Sequence, residues 1–281
     1  MSEPYRGWRL ALLTQHGKER VIAPVLDGAL GCTVERALGF DTDTLGTFTR
    51  DVPRAGTQRE AARRKAELAI ELTGADAGLG SEGSVDQHPM LGFIDRNVEL
   101  IVFIDRVRTI EVVGVADGPA PYSHVLTGEW TEVERLAARA GFPEHGLVVR
   151  PEGPNDLRVR KNIDDIDQLA AAFAAARAES STGLVFVETD LRAHRNPRRM
   201  ARIAEAAADL AAKLASPCPA CDSPGFWRST RLPGMPCRAC GLATQITLAD
   251  VDSCPRCEHT VTRALDTSAG ADPRWCDYCN P

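Results

Sequence analysis

The last quarter of this chain contains CPAC (218–221), CRAC (237–240), CPRC (254–257) and CDYC (276–279). Two residues between paired cysteines let both thiolates of a tight turn point at one ion, and two such turns complete a tetrahedral site of four sulfurs. Fifteen residues separate the first pair from the second, and eighteen separate the third from the fourth, both typical of zinc sites. The pattern predicts two structural zinc ions in a double zinc ribbon over residues 216–281.

The sequence leaves the pairing of these four turns open. The simplest arrangement takes them in order, with one ion held by Cys218, Cys221, Cys237 and Cys240 and the other by Cys254, Cys257, Cys276 and Cys279. Crosswise pairing is the alternative. A disulfide framework is disfavoured by the absence of a signal peptide, and redox chemistry by eight paired thiols at ribbon spacing. Cys32 lies in a predicted helix, where a small buried side chain is expected rather than a nucleophile.

Length and charge narrow the class of protein. The 281 residues suffice for one large core of about 200 residues and a small module. No apolar run reaches the roughly 20 residues that span a bilayer, and MSEPYRGWRL lacks a signal-peptide core, so we expect a soluble cytoplasmic protein with no membrane partner. The net charge is -6, and residues 217–281 carry six arginines against seven carboxylates, which disfavours nucleic acid as a partner.

Residues 1–215 alternate apolar runs with helical patterns. Strands are predicted at 10–13, 75–80, 100–104, 147–150 and 184–188, and helices at 18–30, 57–72, 130–140, 163–177 and 196–215. Thr57 and Glu60 form a capping box at the second helix, and Asn196 caps the last helix with Pro197 at its first position. Strands interleaved with helices predict a layered α/β domain with a mixed sheet over residues 1–215.

Polar residues cluster where the predicted strands end, which is where open α/β sheets place ligands. The turn Thr14-Gln15-His16-Gly17-Lys18 follows the first strand and opens a helix, so its backbone N–H groups and Lys18 could receive an anion. An ordinary solvated helix start would have the same sequence. Asp41-Thr42-Asp43 offers two carboxylates that could hold a divalent cation or simply cap a turn.

Two further segments carry candidate residues. Glu82 lies in GSEGS (80–84), where small neighbours would suit either the close approach of a metal or phosphate or an exposed turn. The next strand ends in Asp105. ETDLRAHRNPRR (188–199) joins a buried strand to the last helix and could bind phosphate through helix dipole and charge, or serve only as a helix cap with a basic surface. Its candidate phosphate ligands are Arg192, Asn196 and Arg199.

These motifs resemble two families. The whole chain is similar to a bacterial family described as a domain of unknown function, with HGKE, DTD, SEGS, TDLRAHRNPRRM and paired CxxC motifs in this order. Residues 10–212 resemble the inosine/xanthosine triphosphatases, which hydrolyse aberrant purine nucleoside triphosphates with a divalent metal. Thr14 to Lys18 stands at that family's phosphate-binding turn, with His16 in place of Asn. ADAGLGSEGSV (75–85) resembles its AD-x-x-VGxEGG segment and places Glu82 on the metal-binding Glu.

The resemblance implies a metal-dependent hydrolase that cleaves a phosphoanhydride in a nucleotide or a similar phosphorylated small molecule. Glu82, with Asp43 or Asp105, would hold Mg²⁺, which would orient the attacking water. The remaining candidates would bind phosphate oxygens: His16, Gly17, Lys18, Lys161, Arg192, Asn196 and Arg199. The alternative is a non-enzymatic adaptor or nucleotide sensor, in which Trp227, Trp275 and Tyr278 contact a protein partner.

Overall fold

A five-stranded mixed sheet forms the centre of the first domain. The computed structural model describes residues 4–45, 56–87 and 95–281. The strands are β1 (Arg9–Leu13), β2 (Thr33–Ala37), β3 (Ala77–Gln87), β4 (Asp95–Asp105) and β5 (Ile110–Pro119), in the order β2-β1-β3-β4-β5. β1 runs parallel to both β2 and β3, whereas β4 is antiparallel to both β3 and β5. The predicted α/β class with a mixed sheet is confirmed.

Two crossover helices cover opposite faces of this sheet. The helix α1 (Glu19–Leu30) connects β1 to β2, and α2 (Gln58–Thr73) connects β2 to β3. Leu10 and Leu12 of β1 belong to the same core as α1, while Ala11 and Leu13 pack with α2. Because β2 and β3 lie on either side of β1, the strand order reverses at the carboxyl end of β1, where Leu13 pairs with Gly80 of β3. Open α/β sheets bind ligands at such a switch point.

The first and last helices share one face of the sheet. α5 (Pro197–Leu214) packs its apolar stripe against α1, β4 and β5, and contributes Ile203, Leu210 and Leu214 to the main core. Asn196 caps α5 by accepting a hydrogen bond from the Arg199 N–H, and Pro197 occupies the first turn, as the sequence predicts. The predicted capping box at α2 is also present.

A second, smaller sheet follows β5. Its strands are β6 (His124–Thr127), β7 (Leu147–Pro151) and β8 (Val185–Thr189), in the antiparallel order β6-β8-β7. The helices α3 (Trp130–Ala140) and α4 (Ile166–Glu179) cover one face of it and share a separate core with its strands. The sequence predicts the strands at 147–150 and 184–188 but not that they form a sheet of their own.

The C-terminal module is a three-stranded antiparallel sheet between cysteine turns. Its strands are β9 (Trp227–Pro233), β10 (Thr247–Ser253) and β11 (Thr260–Ala264), in the order β11-β10-β9. The module lies against the first sheet, because a Cβ added at Gly225 would meet the Val112 side chain of β5 at 2.7 Å. None of the described helices has the length and hydropathy needed to cross a bilayer.

The segment around Glu82 differs from its prediction. β3 does not end at residue 80 but continues to Gln87, so residues 80–84 are extended strand and not a turn. Gly80 and Gly83 do not have positive φ. Their missing side chains serve close packing: a Cβ at Gly80 would strike the Ala62 backbone of α2, and one at Gly83 would strike Glu99 and Arg199. Glycine here indicates close approach rather than a bend.

Candidate functional site

The eight paired cysteines form two groups of four. Within each group the sulfur atoms all lie within 4.8 Å of one another. Between turns, the Sγ–Sγ separations are 3.7 Å for both Cys218–Cys257 and Cys221–Cys254, 3.9 Å for Cys237–Cys279 and 3.6 Å for Cys240–Cys276. A tetrahedral ion with Zn–S bonds of about 2.3 Å sets its sulfurs about 3.8 Å apart. None of the cysteines is in a disulfide. Each group could therefore hold a zinc ion.

The turns pair crosswise, so the in-order arrangement is wrong. The first turn pairs with the third and the second with the fourth. The reason is the sheet: the first turn precedes β9 and the third follows β10, and antiparallel pairing sets Trp227 opposite Ser253. The second turn follows β9 and the fourth follows β11. The end of β9 pairs with Thr247 and the end of β11 pairs with Ala249, both near the start of β10. Each group therefore joins distant parts of the module.

The electrostatics of these groups favours a cation. Backbone N–H groups of Cys240 and Ala239 lower the pKa of the Cys237 thiol to about 7. Hydrogen bonding to the Cys240 thiol instead raises the pKa of Cys279 to about 12. Four adjacent sulfurs cannot all ionise without a compensating charge, and a bound dication supplies it.

A second candidate site lies at the switch point of the first sheet. We call it the switch-point cluster, and it consists of three cations and two carboxylates: Lys18, Lys65, Arg199, Glu82 and Glu99. Lys65 Nζ contacts Glu82 at 2.5 Å, with side chains 10% and 8% exposed. Arg199 Nε contacts Glu99 at 2.6 Å, with side chains 1% and 0% exposed. The cluster therefore buries five charges and carries one more cation than carboxylate.

The two ion pairs lie on opposite faces of the sheet, and Lys18 lies between them. Residues 80 and 82 of β3 face α2, whereas residues 81 and 83 face α1 and α5. Lys18 reaches past the end of β1 and donates from Nζ to the Ser81 carbonyl at 3.3 Å and hydroxyl at 3.2 Å. Burial lowers the pKa of Lys18 to about 8, although Glu99 and Glu82 oppose this shift.

Three helices begin at this cluster. Lys18 is the N-cap residue of α1, and no side chain caps that helix end. Gln58, the first residue of α2, donates to the backbone carbonyls of Glu82 and Val98, both at 2.9 Å. Arg199 lies in the first turn of α5. Helix N-termini carry partial positive charge, so all three add to the positive potential of the cluster.

Glu99 is tightly enclosed. Its Oε1 accepts from Asn97 at 2.9 Å in addition to Arg199, and the side chain is fully buried. Its Oε2 is also buried and has no hydrogen-bond partner among the described residues. Gly83 allows this packing, because any side chain there would occupy the space of the carboxylate and the guanidinium. A buried carboxylate oxygen without a donor indicates an unfilled polar position.

The predicted turn after β1 meets the predicted segment before α5. The rings of His16 and His194 stack with centroids 5.0 Å apart and planes 17° apart. Gly17 has φ of 68°, which lets the chain turn from His16 into α1. Thr42 donates to the Gln15 side chain at 3.2 Å, so the short helical turn Thr42–Leu45 also lies beside these residues.

The remaining phosphate candidates lie at or beside the segment that joins β8 to α5. Arg192 donates to Asp190, with a shortest contact of 2.6 Å, and to Asn162 at 3.0 Å. Lys161 precedes Asn162 and is half-buried. Asn196 donates to the Asp190 carbonyl at 3.3 Å, and the Arg199 guanidinium donates to the Leu191 carbonyl. These bonds tie the end of β8 to the start of α5 and thus to the switch-point cluster.

The structure does not bring Asp105 to this cluster. Asp105 pairs with Ala77, five positions from Glu82 along β3, or about 17 Å. Its carboxylate accepts from the Tyr5 hydroxyl at 3.1 Å and from the Arg108 N–H at 2.8 Å, which indicates a structural role. Asp43 lies in the turn beside Gln15, but its side chain is outside the described residues.

The predicted Mg²⁺ site is therefore not formed by Glu82 with Asp105, while its version with Asp43 involves a side chain outside the described residues. Among the residues that the structure describes, the two cysteine groups are the only sets of three or more close His, Cys, Asp or Glu ligands. Glu82 faces Lys65, which competes with a cation for the same carboxylate.

Three residues of the site were missed by sequence reasoning. Lys65 lies on the buried face of α2 among Ala62, Ala66 and Ala69. A lysine on a helix face otherwise made of alanine is the sequence feature that could have predicted a buried charge here. Glu99 opens the apolar run ELIVFID (99–105) at an inward position of the strand. For His194 the sequence offered no signal beyond its place in a polar segment.

The cysteine module exposes apolar side chains. Trp227, Trp275 and Tyr278 are 38%, 47% and 74% exposed. A groove of about 460 Å³ beside Trp227 is lined by Phe226, Val261 and Arg263. All residues of β9 and β11 are exposed, so both edges of the small sheet are accessible.

Of the comparisons with known proteins, only the one with family models finds a match. No curated protein and no solved structure matches the chain. The resemblance of residues 10–212 to the inosine/xanthosine triphosphatases thus gains no support. One family model does match, over residues 65–281, which include both cysteine groups as well as Lys65, Glu82, Glu99 and Arg199. Because this match covers most of the chain, the protein belongs to the family described as a domain of unknown function, DUF6671.

Proposed function

We propose that the switch-point cluster binds a phosphorylated small molecule and that the first domain hydrolyses a phosphoanhydride in it. The observation that carries this proposal is the meeting of three helix N-termini with Lys18, Lys65 and Arg199 at the carboxyl end of β1, beside the middle of β3. A phosphate group is the ligand that fixed N–H groups, helix dipoles and ammonium groups bind together.

The residues of the cluster take different parts in this proposal. The His16-Gly17-Lys18 turn is half-buried at His16 and Gly17 and would receive the phosphate oxygens. Arg192 and Lys161 would approach from the second sheet. Arg199 is fully buried, so it would act by holding Glu99 and the α5 N-terminus in place rather than by direct contact. Glu82 would orient the attacking water. The two cysteine groups would hold structural zinc ions, since four thiolates leave no coordination position for water.

The test is turnover by the full chain. Purified protein with the Mg²⁺ complexes of purine nucleoside triphosphates should release phosphate or pyrophosphate from at least one of them. Glu82→Gln should lower the rate by at least about 100-fold, because it removes a group that acts on the transition state. Glu67→Gln, on the exposed side of α2 in a surface pair with Arg63, serves as the control. Full activity in Glu82→Gln would contradict the proposed site.

A second candidate function is favoured by the surface of the cysteine module. Three exposed aromatic side chains and two open strand edges are features of protein interfaces. In this alternative the module binds a protein, and the first domain senses a nucleotide without hydrolysing it. Binding of a nucleoside triphosphate by the full chain, with no release of product over hours, would favour this alternative over the hydrolase.

A further inference from the structure

The two stacked histidines lie at the accessible side of the switch-point cluster. His16 is half-buried and two residues before Lys18, while His194 is exposed and follows Arg192 by two residues. All five side chains of the switch-point cluster are buried. The imidazoles are therefore placed where solvent and a bound ligand could both reach them, and they come from separate segments, one after β1 and one before α5.

The two rings are close enough for their charges to interact. Two imidazolium ions with centroids 5.0 Å apart repel each other, so protonation of one ring disfavours protonation of the other. The charged groups with described side chains on the neighbouring segments are Lys18, Glu19, Arg20, Arg36, Asp41, Asp190 and Arg192. Arg195, next to His194, donates a hydrogen bond from Nη1 to the Asp164 carboxylate at 2.6 Å.

We infer that His16 and His194 form an acid–base pair that transfers protons in the hydrolysis proposed above. An isolated histidine titrates near neutral pH, and a pair that takes up its protons in two separated steps holds one proton between them. One ring is then a base while its neighbour is an acid. This inference rests on the proposed function and adds two catalytic residues to it.

The proton transfers balance in a single turnover. The neutral imidazole accepts a proton from water as the water oxygen forms a bond to phosphorus. The imidazolium donates its proton to the bridging oxygen as the bond from phosphorus to that oxygen breaks. One phosphoanhydride and one water give two phosphate groups, and the pair again holds one proton. No oxidant, reductant or further reactant is needed.

The experiment measures the pH dependence of product release from a purine nucleoside triphosphate by the full chain. The wild-type rate should follow a bell-shaped profile, because one ring must be neutral and the other charged. His16→Asn and His194→Asn should each lower kcat by about 100-fold, change KM by less than about 3-fold and remove one limb of the profile. His259→Asn, in the cysteine module, is the control.

A chemical rescue separates catalysis from a structural role. Because His194 is exposed, added imidazole should restore at least about 10-fold of the activity lost in His194→Ala, and no rescue would be expected if the ring only packed. Activity within about 3-fold of wild type in both asparagine variants, or an unchanged two-limbed profile, would overturn the inference alone. Absence of turnover by the wild-type protein would defeat the proposed function and the inference with it.

Discussion

At the scale of single residues, the first domain is marked by charges in places where apolar side chains would be expected. Glu99 and Arg199 are almost completely buried between β4 and α5, and Lys65 lies on the alanine face of α2. Burying an ion pair costs desolvation energy that its attraction repays only with good geometry, so a hydrophobic pair of equal volume is often as stable. In the proposed function these charges serve to bind a ligand.

Breaking the buried pair should be costly. Arg199→Met leaves the Glu99 carboxylate buried without its cation, and we expect a loss of about 3–5 kcal/mol in the free energy of unfolding. Arg202→Met, one turn along the same helix, removes a partly exposed pair with Glu205 and should cost less than about 1 kcal/mol. Urea titration of both variants measures the two values. Equal losses would show that burial of the first pair carries no special cost.

The ammonium group of Lys18 predicts a pH effect of definite sign. Its pKa falls from 10.5 in the unfolded chain to about 8 in the fold. Between these values the unfolded state binds more protons than the folded state, so the stability that depends on Lys18 is lowest below pH 8 and rises up to about pH 10.5. The rise amounts to about 3 kcal/mol at most.

This effect is measured as a difference between two proteins. The free energy of unfolding of the wild type minus that of Lys18→Met should increase from pH 7.5 to pH 10.5, because only the wild type carries the ammonium group. The subtraction cancels tyrosine, cysteine and other lysine residues. A difference that stays flat across this range would mean that Lys18 keeps an ordinary pKa and is not buried as described.

At the scale of elements, the sequence predicts features that neighbouring residues determine, and it misses features that depend on residues distant in the chain. The capping box at Thr57 and the Asn196-Pro197 start of α5 were predictable because neighbouring residues make those bonds. The extension of β3 past residue 80 was not, because Gly80 and Gly83 owe their identity to α2, Glu99 and Arg199, which are distant in sequence. The antiparallel pairing that crosses the cysteine turns is also a long-range property.

The crosswise pairing of the cysteine turns has a direct test. Protein loaded with ¹¹³Cd should give two metal resonances. One should correlate with the β protons of Cys218, Cys221, Cys254 and Cys257, and the other with those of Cys237, Cys240, Cys276 and Cys279. Correlations that join Cys218 to Cys237 would restore the in-order arrangement and contradict the strand pairing of β9 with β10.

At the scale of the whole molecule, the candidate site lies where the parts of the first domain meet. The switch point belongs to the first sheet, Arg192 and His194 come from the end of the second sheet, and α5 links the two. The sequence could supply Lys18, Glu82 and Arg192 as candidates by residue type and position. It could not exclude Asp105, because only the antiparallel register of β3 and β4 places that residue at the opposite edge.

The cysteine module lies against β5 of the first sheet. Gly225 contacts Val112 of β5, and the module shares no strand with either sheet of the first domain. Its stability should therefore depend on its metal ions and not on the ligand of the switch point. The proposed hydrolysis would use the switch-point cluster, whereas the alternative, protein binding, would use the surface of the cysteine module.

The central claim is that the switch-point cluster binds a phosphorylated ligand, and calorimetry tests it most directly. A non-hydrolysable purine nucleoside triphosphate analogue with Mg²⁺ should bind the full chain at one site, more weakly as salt is raised. Lys18→Met should weaken binding by at least about 10-fold, or about 1.4 kcal/mol, whereas Lys213→Met at the far end of α5 should not change it. No binding by the wild type, or equal binding by Lys18→Met, would contradict the account.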